Sequence, residues 1–159
     1  MAAGKEPNPT TAQRTSDRDT VVTRTFDAPM HLVWKAWTTP ELFQRWWLPK
    51  SAPMTMLSFT ADFRVGGKYR VEIGHGGGTM AFFGTYLEVV PNERLVWTNE
   101  ESEDGAVTTV TFEEKDGKTL LTMQERYPSK EALDRSLGAT EGLPQTFAQL
   151  DEVLVTLAG

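Results

Sequence analysis

The sequence predicts an α+β fold in which a curved antiparallel sheet closes around one long C-terminal helix. Three observations point there. From about Pro53 to Arg126 the chain is a series of short β-type runs separated by tight turns, and connections that short join antiparallel neighbours. Beyond Tyr127, Leu143, Phe147, Leu150, Leu154 and Leu157 recur at spacings of four and three, the apolar stripe of a long helix. Two short helical segments follow directly after the first strand.

Residues 1–18 are polar, carry Pro7 and Pro9, and predict a disordered tail. Residues 19–159 are expected to form one domain, a length that suits one core. The run Thr20–Phe26 is β-rich. Asp27-Ala28-Pro29 reads as a helix start, with Asp27 as the cap and Pro29 where a free amide is not missed. Met30, Val33 and Trp37 then share one helical face. Thr39-Pro40-Glu41 repeats the start signal and turns Leu42 and Trp46 inward. Strands are predicted at Thr55–Phe63, Lys68–Ile73, Thr79–Val90, Arg94–Asn99, Val107–Glu114 and Thr119–Arg126. Turns divide them at Gly66-Gly67, His75-Gly76-Gly77-Gly78, Pro91-Asn92, Glu103-Asp104-Gly105 and Asp116-Gly117. With the first run they make a seven-stranded sheet. Ser129 caps a short helix over Lys130–Leu137, Gly138 and Gly142 loosen the chain, and Pro144 sits near the start of the last helix.

Composition narrows the function. Hydrophobic residues make up 39% and charged residues 24% of the 159, an ordinary globular balance. The chain has no cysteine, which rules out disulfides and fits a reducing compartment. It shows no signal-peptide core and no apolar run of the roughly 18–20 residues a membrane helix needs. Together these predict a cytoplasmic protein. A net charge of −6 without a basic run argues against nucleic acid as a partner.

Several motifs carry a resemblance. Phe26-Asp27-Ala28-Pro29, Val33-Trp34-Lys35-Ala36-Trp37-Thr38, Pro40-Glu41-Leu42 and Arg45-Trp46-Trp47 form the opening set. Asp62–Arg70, Gly84–Pro91, Glu93–Thr98, Thr109–Glu113 and Thr119–Met123 continue it. The chain from about Thr20 onward resembles the START-like (SRPBCC) superfamily, in the branch named after the activator of the ninety-kilodalton heat-shock protein ATPase. The resemblance implies the helix-grip fold, shared by lipid carriers, hormone receptors, pollen allergens, polyketide cyclases and co-chaperone domains. One departure is Gly142-Leu143 followed by Pro144, where this branch often has Gly-Trp. Function drawn from such a fold is analogy, and the site has to carry it.

The residues offer few chemical groups. His75-Gly76-Gly77-Gly78 echoes an esterase oxyanion loop, but no Ser stands in a nucleophile elbow, so a hairpin turn is the better reading. His31 and His75 fall on different elements and no thiolate exists, so no metal site is read, and nothing calls for a cofactor. Strand alternation places Leu121, Met123 and Glu125 on one face, with Val110 and Phe112 inward on the strand before and Tyr69, Val71 and Ile73 on another. Glu125 beside an apolar cavity would have a raised pKa and is the one weak catalytic candidate; the plainer reading is a rim residue paired with Arg70 or Arg126. Trp34, Trp47 and Trp97 are candidate pocket aromatics, while Trp37 and Trp46 read as core. Thr98 joins Tyr69 and Glu125 as a polar contact. Phe147 and Leu150 are expected to form the pocket floor, with ordinary helix–sheet packing as the plainer alternative, and Leu143 is a further pocket residue. The leading expectation is a module binding a small hydrophobic molecule, lipid-like or polycyclic. A cyclase- or hydrolase-like enzyme using Glu125 and a co-chaperone acting by protein docking are the alternatives, so a protein partner stays open. Oligomeric state is not readable.

Overall fold

The computed structural model describes residues 10–48, 50, 51, 53–136 and 143–158. Their order is β1 (Thr11–Arg14), β2 (Asp19–Phe26), α1 (Met30–Thr38), α2 (Pro40–Trp46), β3 (Met54–Ala61), β4 (Lys68–His75) and β5 (Gly78–Val90). Then follow β6 (Arg94–Thr98), β7 (Val107–Lys115), β8 (Lys118–Arg126), α3 (Lys130–Arg135) and α4 (Leu143–Ala158). The architecture is the predicted α+β helix-grip. One antiparallel sheet runs β1-β2-β8-β7-β6-β5-β4-β3, so the strand before the two short helices closes onto the last strand of the meander.

Among the described residues the sheet has eight strands, not the expected seven. The additional strand, β1, lies inside the segment read as a tail. Its four residues are all exposed, and it holds on by antiparallel pairing with β2, as Thr11 opposite Thr23 and Arg14 opposite Thr20. Edge pairing through backbone groups needs no apolar side chain, which is why a polar run gave no warning. Residues 1–9 of that segment, with Gly138 and Gly142, lie outside the described residues.

The first helix start is also built differently from its expectation. Asp27 makes no cap; it pairs with Lys118 at 3.3 Å. The free amide of Met30 instead donates to Glu114 Oε1, 2.7 Å away on β7, so a strand residue closes the helix end. Ser129 does cap α3, accepting from the Ala132 amide at 3.0 Å. The hairpins turn where glycine, asparagine or aspartate allows it: Asn92, Asp116 and Gly117 all have positive φ, as the β5–β6 and β7–β8 connections require.

The core lies between the sheet's inner face and helices α1, α2 and α4. Phe147 is fully buried and meets Phe26 edge-to-face at 5.6 Å. Val33, Trp46, Val110, Leu121 and Leu150 are equally buried around it. Arg24 is a charged residue buried there, 3% exposed and ion-paired with Asp151 of α4 at 2.5 Å.

Candidate functional site

The core does not fill the whole grip. At one end a cavity of about 470 Å³ opens between β4, β5, β6, β8, helix α2 and the loop 99–106. Its wall is mostly apolar, and aromatic on the helix side: Trp37, Phe43, Trp47, Phe59 and Trp97. These rings brace each other, with Phe43 stacked on Trp47 at 4.8 Å and Trp37 tilted against Trp97 at 6.2 Å.

Helix α4 fixes Trp47 in place. Gln149, buried and only 5% exposed, donates to the carbonyls of Trp46 (3.0 Å) and Leu48 (2.8 Å) and accepts from the Lys50 amide at 2.8 Å. These bonds satisfy the open end of α2, whose carbonyls lack partners of their own. Trp46 turns into the core, where its Nε1 donates to the Ala36 carbonyl at 3.1 Å. Of the adjacent pair, Trp47 is thus the one left to face the cavity.

The opposite end is polar and joined by hydrogen bonds. Tyr69 donates to the Thr98 carbonyl at 2.7 Å and lies 3.2 Å from Asn99 Oδ1. Asn99 Nδ2 donates to the Ala106 carbonyl at 2.7 Å and to Thr108 Oγ1 at 3.0 Å. Thr108 donates in turn to Glu125 Oε2 at 3.1 Å, and Tyr127 donates to Glu125 Oε1 at 3.4 Å. Glu125 therefore sits at the focus of a network in which every direct partner is a neutral hydroxyl. Burial pushes its carboxyl above the ordinary 4.5, partly offset by those two bonds. The Tyr127 hydroxyl is pushed up to about 12 by burial and by the facing carboxylate. Tyr69 and Tyr86 are raised as well, chiefly by burial, so all three phenols stay protonated at neutral pH.

The expected rim pairing of Glu125 does not form. Arg126 turns to Asp19 at 2.8 Å and Arg70 to Glu72 at 2.9 Å. Strand alternation points Arg126 away from the face that carries Glu125. The raised pKa has a testable sign. Folded protein holds the Glu125 proton more tightly than unfolded chain, so ionising it costs stability as pH rises from 4.5 through the folded value. Glu125→Gln is expected to match wild type below pH 4.5 and to exceed it increasingly above, with the difference levelling off past the folded pKa. Urea midpoints of both proteins across that range measure it.

Of the residues proposed from sequence, the structure places Trp47, Tyr69, Val71, Ile73 and Trp97 on the cavity wall, with Met123, Glu125 and Leu143. Thr98 is not on the wall: its carbonyl accepts the Tyr69 hydroxyl, while its own hydroxyl donates to Glu100. Val110, Phe112, Leu121, Phe147 and Leu150 are not on the wall of this cavity; they pack together in the core. Trp34 packs edge-to-face on Phe112 at 5.6 Å, away from the cavity. Sequence reasoning missed Phe43, Phe59, Tyr86 and Asn99, and took Trp37 for core alone. His31 and His75 are exposed on separate elements.

A family model for activator of Hsp90 ATPase homolog 1-like protein matches residues 27–155. The chain belongs to this family. Solved structures share the fold of the Hsp90-ATPase-activator-like chain over nearly its whole length. Protein NE0264 from Nitrosomonas europaea is 25% identical, with 91% of this chain and 99% of that one covered and a TM-score of 0.80. Protein Ms6760 from Mycobacterium smegmatis is 26% identical, with 94% and 99% covered and a TM-score of 0.79. A Staphylococcus epidermidis protein is 27% identical, with 92% and 94% covered and a TM-score of 0.75. No curated protein matches the chain. A family of this kind fits a ligand-binding or co-chaperone module. Among the described residues no helix is long and apolar enough to cross a membrane.

Proposed function

We propose that the protein binds a small hydrophobic molecule, polycyclic or lipid-like, in the cavity between β4–β6, β8 and α2. The single observation that carries this reading is the cavity itself. Its roughly 470 Å³ lies within the range of small-molecule sites, and a predominantly apolar wall with a few convergent polar groups is what such sites share. The braced ring cluster supports it further. Its rings are held by each other and by Gln149, so a guest meets a wall already formed and little ordering is left to oppose binding. Catalysis has weaker support, because the direct partners of Glu125 are hydroxyls that stay protonated.

Native mass spectrometry of the purified protein, with thermal shift against lipids, flavonoids and polyketide-like compounds, tests the proposal. A co-purifying mass or a concentration-dependent stabilisation is expected. Met123 lines the cavity at its middle, and Met123→Trp fills it. That variant is expected to remain folded, at a cost of about 1–3 kcal/mol, and to lose the ligand-induced shift. An unchanged shift in Met123→Trp would place binding elsewhere.

A further inference from the structure

Apart from the phenols, the ionisable side chains on the cavity wall are all carboxylic acids. Three carboxylates line it, Glu101, Asp104 and Glu125, and among the described lining residues there is no Lys, Arg or His. The three are not equivalent. Asp104 is neutralised by Arg135 of α3, which holds both its oxygens at 2.7 Å. Glu101 accepts the Phe83 amide at 3.2 Å, at the outer end of the loop. Glu125 lies deepest in the sheet, and none of the groups that act on it is a cation. A carboxylate removed from water and met only by neutral hydroxyls lacks the partner that usually accompanies a buried charge. Each of its oxygens receives one bond here and has capacity for another.

The aromatic wall sits across the same space. A guest with a flat apolar body against Trp47, Phe43 and Trp97 therefore extends toward Glu125 with whatever polar group it has. An acid placed there meets Glu125 and Glu101 with like charge. A protonated amine supplies the missing countercharge and donates directly to the carboxylate.

We infer that the ligand class is a hydrophobic amine, bound as the ammonium ion with its nitrogen at Glu125 and its ring system among the tryptophans. This rests on the binding reading above and goes beyond it by fixing the ligand's charge. Glu125 is then a specificity residue, selecting cations over neutral and anionic molecules of the same shape.

Three probes of one skeleton separate the two readings: 2-naphthylmethylamine, 2-naphthylmethanol and 2-naphthoic acid, titrated calorimetrically into the full chain at neutral pH. The amine is expected to bind about ten- to a hundredfold more tightly than the alcohol, the range of a charge-assisted hydrogen bond, and the acid most weakly. Glu125→Gln is expected to bring the amine down to the alcohol's affinity while the alcohol itself changes little. Because the alcohol reads the apolar cavity alone, its binding to the variant also reports that the cavity is intact. An acid that binds as well as the amine, an amine no better than the alcohol, or a preference that survives Glu125→Gln would overturn the inference and leave the cavity reading standing. Absence of binding by all three would overturn both.

Discussion

Phe147→Ala is expected to destabilise the protein by about 3–5 kcal/mol, the cost of removing a fully enclosed aromatic ring. Phe147 has no exposed surface, and it joins α4 to β2 through its edge-to-face contact with Phe26. Neither neighbour can collapse into the space, because Leu150, Val33 and Leu121 are packed to the same degree around it. The urea midpoint measures the loss. The ring is not on the cavity wall, so affinity of the folded fraction for an aromatic guest is expected to stay within a few fold of wild type. A variant that kept its stability but lost the guest would put Phe147 back in the pocket and contradict the partition of the grip into a filled and an open end.

Gly84→Ala carries the second large effect, about 3 kcal/mol or more, from overpacking against backbone that cannot retreat. A Cβ at Gly84 would stand 1.9 Å from the Thr98 carbonyl oxygen and 2.9 Å from the Tyr69 ring. That oxygen is the acceptor for the Tyr69 hydroxyl. Relief of the clash must push β6 off β5 and release Tyr69 together, which opens the polar end of the cavity as well as the sheet. Thermal unfolding gives the size of the effect, and faster amide exchange in β5 and β6 gives its place. Gly77→Ala is the control: a Cβ there meets nothing within 4 Å, and its melting temperature is expected to stay at the wild-type value. Equal melting temperatures for the two variants would show that β6 gives way freely.

How far each feature was legible depends on what kind of signal it leaves. Alternation along β8 showed that Leu121, Met123 and Glu125 share a face, and the register of β7 on β8 pairs them with Phe112, Val110 and Thr108. Alternation says nothing of depth. The same face runs from Leu121 in the sealed core, past Met123, to Glu125 in the open end, and only the helices above decide where filling stops. The pocket floor was misassigned for that reason: α4 covers the filled end at Phe147 and Leu150, and the cavity's roof is α2. On α2 itself Leu42 does pack half-buried against the core, but the more deeply buried Phe43 beside Trp46 was not foreseen. A helix of seven residues is too short for periodicity to fix its phase. The Asn99–Thr108–Glu125 chain left no periodic trace at all, since Asn99 belongs to a loop and is recruited by its backbone position after β6.

The pairing of β2 with β8 has a consequence for how the protein is made. Val22 lies opposite Met123 and Phe26 opposite Thr119, so on a ribosome β2 waits for a partner synthesised about a hundred residues later. At about 5–20 residues per second that wait lasts on the order of five to twenty seconds. Meanwhile the β3–β7 meander can assemble from neighbours close in sequence, and β2 stays unpaired along the edge that β8 will take, with Val22 and Phe26 uncovered. The nascent chain's hazard therefore lies at β2, and closure of the grip waits for β8.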